Sequence, residues 1–184
     1  MEKEFSKKIE EAGRKAIAFR REGYHCSESV FMAINETLKI TDPSMVRMVT
    51  GFHGGGGTQR RDKTINLTQA LEYVASGKEK RPREEWPFAQ IGHLCGALAS
   101  GKICIGLLYG RRSPTDDVTC ADELCYEFHQ RFVEKLGGQE CFPLFAKWAP
   151  VSPTKNCEYV YQSGAELAVE VILKARQLVS ECSE

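Results

Sequence analysis

Eight cysteines, at positions 26, 95, 104, 120, 125, 141, 157 and 182, carry the clearest chemistry in this chain. Thiolates ligate soft metals and cycle through disulfides, so metal binding and thiol redox chemistry are the two classes to weigh. No pair has the CxxC spacing of zinc knuckles, thioredoxin-like motifs or ferredoxin loops, and there is no CxxCH haem attachment site. Local motifs alone therefore do not signal a metal. Eight cysteines are also many for a reducing compartment, which does not favour stable disulfides, so something else should explain some of them.

Context separates the cysteines. Residues 92–111, GHLCGALASGKICIGLLYGR, place Cys95 before Gly96, Ala97, Ala99, Ser100 and Gly101, leaving room for another backbone or a bulky inorganic group beside the sulfur. Apolar residues recur at Leu94, Ala97, Leu98, Ile105, Leu108 and Tyr109, a helical pattern, so this is a buried helix with a thiol near its start. The plainer alternative is a helix whose small face packs on another helix and whose cysteine is ordinary core. Cys26 precedes the apolar run Val30, Phe31, Ala33, Ile34 and Leu38 and falls at or just before a helix start. Cys157 has the same context. Unpaired amides and the helix dipole at such a terminus stabilise a negative sulfur. His25, beside a turn, reads as a surface residue.

Cys125 lies on the apolar side of a helix over 121–136, with Leu124, Phe128, Phe132 and Leu136, and reads as core. Cys120 precedes that helix. Cys104 is nine residues beyond Cys95 and roughly on the opposite helix face. Cys182 is in the C-terminal tail and has no assigned role.

The loop Gly51-Phe-His-Gly54-Gly55-Gly56-Gly57-Thr58 mimics a phosphate-binding loop, but Gly57 stands where the lysine would be, and a nucleotide site is rejected. Four consecutive glycines still mark backbone that needs positive φ or close approach. Gly54, Gly55, Gly56 and Gly57, with Gly96, are the candidate cofactor-contacting glycines; a flexible surface turn is the alternative.

The elements that must position these groups are helical. A first helix over 4–21 carries Phe5, Ile9, Ala12, Ala16 and Phe19 on one stripe. A short helix spans about 43–50. Residues 58–90 are polar and basic, with one helix-like piece at 67–74 and Trp86-Pro87-Phe88, and read as an insertion or flap. Gly137-Gly138 caps the 121–136 helix. Cys141 with Phe142 and Leu144 follows, a Pro-containing loop runs to Asn156, and a last helix continues through Leu178. The expected fold is all-α, one domain over 1–184, a helical bundle of about five to six helices with a Gly-rich loop and a loop insertion.

The chain has 184 residues and as many Lys plus Arg as Asp plus Glu. Its positive charges are scattered, so a nucleic-acid partner is not expected. The charged N-terminus lacks a signal-peptide core, and no run approaches the ~20 apolar residues of a membrane span. The expectation is a cytoplasmic protein with no membrane partner.

Taken together, HCSESV, GFHGGGG, CGALASGKICIGLLYGR, Cys141 with Phe142 and Leu144, and Asn156-Cys157 resemble the redox-active protein family named for its C, GCAxxG, C, C cysteine pattern, itself similar to the iron-sulfur part of split-Soret cytochrome c. The resemblance spans roughly 10–180 outside the insertion. It implies Cys26, Cys95, Cys141 and Cys157 as the functional set and leaves out Cys104, Cys120, Cys125 and Cys182. Two departures stand out: Ser100 occupies the place of the pattern's second glycine, delayed to Gly101, and the insertion separates two site-forming segments. Haem sites are not implied, because CxxCH is missing.

The resemblance implies an iron-sulfur cluster held by these four thiolates for electron transfer or redox sensing, with [2Fe-2S] favoured over [4Fe-4S]. A redox partner protein is expected, and a homodimer stays open. Two alternatives remain: a thiol-disulfide oxidoreductase, with Cys26 and Cys95 the first pair, and a structural zinc site with four cysteine ligands. No histidine or carboxylate is marked strongly enough to be assigned a catalytic role.

Overall fold

Apolar residues at helical spacing coil most of the described residues. In the computed structural model, which describes residues 2–60, Thr68, Glu72 and 88–181, the elements are α1 (Glu2–Arg21), α2 (Cys26–Leu38), 3-10 turns at Pro43–Met48 and Thr50–Phe52, strands β1 (Thr58–Arg60) and β2 (Phe88–Gln90), α3 (Gly96–Tyr109), α4 (Thr119–Leu136), α5 (Cys141–Trp148) and α6 (Glu158–Glu181). The all-α expectation holds, with six α-helices among the described residues.

The two short strands pair antiparallel, Thr58 with Gln90, Gln59 with Ala89 and Arg60 with Phe88. They close the base of the expected insertion. The helix-like piece at 67–74, except Thr68 and Glu72, lies outside the described residues, as do Trp86 and Cys182.

Helix α6 is the hub, packing on α1, α2, α3 and α4. Its Ala165, Ala168 and Ile172 join Ala12 and Ala16 of α1, Phe31 and Ile34 of α2, Leu98 and Ile105 of α3, and Phe128, Phe132 and Leu136 of α4 in one core cluster. Alanines at Ala12 and Ala16 let α1 lie close, while Phe5, Ile9 and Phe19 of the same stripe are only partly buried.

The small residues of α3 serve helix packing after their first position. A Cβ at Gly101 would run into the Phe128 ring and come within 3.3 Å of the Ala168 Cβ, and a Cβ at Gly164 of α6 would meet that of Ala97 at 3.1 Å. The departure at Ser100 also has a use: its fully buried hydroxyl donates to the Ser27 carbonyl at 2.7 Å, tying α3 to the first turn of α2.

Three expectations need correction. Residues 141–148 form α5, where a loop was expected; Pro143 sits in the first turn, where a missing N–H breaks no helical bond. Cys120 lies inside the first turn of α4 and is exposed. Cys125 is half-buried against the core and not within it; its thiol lies 3.9 Å from the Lys102 carbonyl.

Two glycines of α3 should behave oppositely. Gly101→Val overpacks the α3, α4 and α6 junction and should cost ~1–3 kcal/mol. Gly106 is exposed with nothing near its Cβ position, so Gly106→Ala should gain ~0.5–1 kcal/mol. Urea denaturation followed by circular dichroism checks both.

Candidate metal centre

The site grows from backbone pairing around residues 91–95. On one side, the amides of Ile91, Gly92 and His93 donate to the carbonyls of Gly57, Gly54 and Gly55 at 3.1, 2.8 and 2.9 Å. On the other, Leu94 bridges Glu140, the Cys95 amide donates to the Gln139 carbonyl at 2.9 Å, and the Cys141 amide donates to the His93 carbonyl. Cys95, the N-cap of α3, and Cys141, the first residue of α5, thereby lie on two segments joined by one short antiparallel pairing, Cys95 opposite Gln139 and Cys141 opposite His93.

The glycine loop makes the close approach possible. Gly54, Gly55, Gly56 and Gly57 all have positive φ. At Gly55 a Cβ would sit 2.5 Å from the Gly92 carbonyl carbon and the His93 amide nitrogen, so no side chain fits. Gly54 turns its amide toward the Cys26 sulfur, the inward-pointing donor expected of this loop. Gly57 instead bonds its amide to the His53 carbonyl at 2.8 Å, and Gly56 is exposed with open space beside it.

Gly96 faces the thiols. A Cβ there would lie 3.2 Å from the Cys26 Sγ, 3.0 Å from the Ser27 Cβ and 2.9 Å from the Phe52 carbonyl. The start of α3 thus abuts the start of α2, Cys26 beside Cys95. Cys157, one residue ahead of α6, completes the group.

The charge of Cys26 reaches each of the other three thiols. Burial pushes the Cys95 thiol well above its ordinary value, and the charges of Cys26 and Cys157 push the same way, against the amides of Leu98 and Ala97. Burial and the neighbouring Cys26 raise Cys141 to about 11. Cys157 is raised to about 12 by burial, Cys26 and Cys141. Cys26 is raised by burial, opposed by the amides of Gly54 and Ser27 and by Arg20. No other cysteine among the described residues appears in this set: Cys104 is raised by burial alone, and Cys125 by burial and Asp122, against Lys102.

The cysteines picked out by the resemblance are thus one neighbourhood, and the structure leaves Cys104, Cys120 and Cys125 elsewhere. They are not gathered to a point: among the described residues no group of three or more His, Cys, Asp or Glu side chains could hold a metal ion as it stands. The donor chemistry fits a thiolate-held group all the same. Burial raises all four thiols, the charge of Cys26 adds to this at Cys95, Cys141 and Cys157, and a bound cation would favour their thiolate forms. Amides of Gly54, Ser27, Ala97 and Leu98 already aim at sulfur.

Sequence reasoning missed several neighbours. Arg20, at the end of α1, donates to the Tyr24 carbonyl at 3.1 Å, and its charge reaches Cys26 and Cys157. Tyr161, 2% exposed, donates to the Asn156 side chain at 3.2 Å and lies within reach of the Cys157 charge. His25 stacks on His53, centroids 4.2 Å apart. Arg20 looks like any basic residue in the last turn of an amphipathic helix, so the sequence carried no signal for it.

The raised thiols make the metal-free protein sensitive to alkali. An unfolded cysteine ionises near 9, whereas folded Cys141 and Cys157 hold their protons to about 11 and about 12. Within that window the native state binds more protons than the unfolded one, so stability falls as pH rises. The urea midpoint of metal-free protein should drop between pH 9 and 11, with a shallower drop in Cys157→Ser; equal slopes would show that Cys157 does not titrate as a buried thiol.

No curated protein and no solved structure matches the chain. The family match covers less than the expected span: it begins at the end of the insertion and takes in Cys95, Cys141 and Cys157, with Cys26 upstream of it. Over residues 87–171 the chain is similar to the family described as "Putative redox-active protein (C_GCAxxG_C_C)", whose model matches that stretch.

Proposed function

We propose that the protein binds an iron-sulfur cluster through the thiolates of Cys26, Cys95, Cys141 and Cys157 and works as an electron carrier or redox sensor. The observation that carries this reading is the reach of the Cys26 charge to the other three thiols, the four being drawn from four separate segments. When bound, such a cluster supplies reversible one-electron chemistry, with four cysteines the usual complement of either [2Fe-2S] or [4Fe-4S]. The split-Soret resemblance favours [2Fe-2S].

The chain's own residues do the rest. The starts of α2, α3, α5 and α6 present the sulfurs, and the amides of Gly54, Ser27, Ala97 and Leu98 stabilise negative charge on them. Arg20 adds a positive charge on the side of Cys26 and Cys157. The buried face excludes water from Cys95, while half-buried Cys141 keeps a side toward solvent, where a redox partner protein would exchange electrons.

Burial weighs against the thiol-disulfide reading. That chemistry needs a low-pKa, accessible attacking thiol, and all four thiols are pushed up. All seven described cysteines are free, which suits a reducing compartment such as the cytoplasm.

Anaerobically purified protein should contain iron and acid-labile sulfide and show visible absorption, with an EPR signal on reduction that separates the cluster types. Colourless, iron-free protein after reconstitution would sink the proposal, and stoichiometric zinc would favour a structural site. Because a cluster would link four separate segments, its binding energy becomes folding energy. Replacing Cys26, Cys95, Cys141 or Cys157 singly by Ala should lose most of the iron and lower the melting temperature of the loaded protein. Cys104→Ala and Cys125→Ala should leave iron near normal, Cys125→Ala costing ~1 kcal/mol in packing. Iron kept in Cys157→Ala but lost in Cys120→Ala would show the ligand set to be wrong.

A further inference from the structure

The first turn of α2 holds a polar group that the packing leaves without a partner. Ser27 is completely buried, and its hydroxyl makes no hydrogen bond. A serine in a helix ordinarily bonds its hydroxyl back to the carbonyl three or four residues earlier. Three residues before Ser27 is Tyr24, whose carbonyl already accepts from the Arg20 guanidinium at 3.1 Å and from the Ser29 hydroxyl at 3.5 Å.

The position of Ser27 is tightly set. Its carbonyl takes the Ser100 hydroxyl at 2.7 Å, from the helix that Cys95 caps. Its Cβ lies 3.0 Å, and the Cys26 Sγ 3.2 Å, from the point where a Gly96 side chain would begin. Ser27 and Cys26 therefore border the same small space in front of Gly96, next to Cys95. A buried hydroxyl left unbonded is unfavourable unless something outside the described side chains completes it.

We propose that the Ser27 hydroxyl donates a hydrogen bond to a sulfur of the thiolate-bound cluster, making Ser27 a positioning residue that sets the cluster's reduction potential. This rests on the iron-sulfur reading above. The reduced cluster carries one more negative charge than the oxidised one, so a donor on sulfur favours reduction and raises the potential.

The test compares wild-type protein with Ser27→Ala and Ser27→Thr, purified anaerobically, by iron content, redox titration of the visible spectrum and melting of the metal-free forms. Ser27→Ala should keep its iron and show a midpoint potential below wild type, while Ser27→Thr, which keeps the hydroxyl, stays near wild type. Metal-free Ser27→Ala should melt no lower than metal-free wild type, because no bond is lost; a lower melting point would assign the hydroxyl a structural bond and overturn the proposal. An unchanged midpoint in iron-loaded Ser27→Ala would overturn it as well. Should Ser27→Ala lose its iron, Ser27→Thr decides, since retention supports the hydroxyl's role and equal loss assigns Ser27 to packing. Iron-free wild-type protein would sink the cluster reading itself, a failure distinct from these.

Discussion

Residues 91–95 are hydrogen-bonded along both edges, to the glycine loop at 54–57 and to the turn that opens α5. This pairing is the constraint on which the site depends. Without it Cys95 would lose its link to the segment that carries Cys141, whereas Cys26 is held near it also by the packing of α2 on α3 and by the Ser100 to Ser27 hydrogen bond. The glycines matter to the pairing itself: Gly55 lets two backbones meet where no Cβ fits.

Around this node the bundle divides its labour. The α6 hub and its contacts with α1, α3 and α4 hold most of the apolar core, with Phe128, Phe132 and Ile172 fully buried. The helix starts are left to carry polarity. In α3 both duties fall on one run of small residues: Gly96 faces the Cys26 sulfur, while Ala97 and Gly101 admit Gly164, Phe128 and Ala168. Along that run, smallness serves the close approach of α2 at Gly96 and of α4 and α6 at Ala97 and Gly101.

Electrostatics gives the node its direction. Burial raises the four thiols, Cys26 adds to the rise at its three neighbours, and the surrounding amides and Arg20 offset it only in part. Such a pocket is poorly suited to free thiolates and well suited to a cation-bearing group, because bound positive charge removes the repulsion that burial magnifies.

The helices were legible in the sequence because burying one face of a helix demands a 3.6-residue period, as in Ala12 and Ala16 or Phe128, Phe132 and Leu136. Helix starts at Cys26, Cys95 and Cys157 were legible because the periodic runs begin just after them. The short α5 was not, since eight residues containing Pro143 hold too few turns for a period to show. Nor does any local spacing say that residues 26, 95, 141 and 157 meet, because loop lengths and backbone pairing between distant segments decide that. Family resemblance named the four cysteines, and tertiary structure made them neighbours. Arg20, Tyr161 and the unpartnered Ser27 hydroxyl were decided by tertiary structure alone: each is an ordinary residue in its own helix and acquires meaning only from what other segments place beside it.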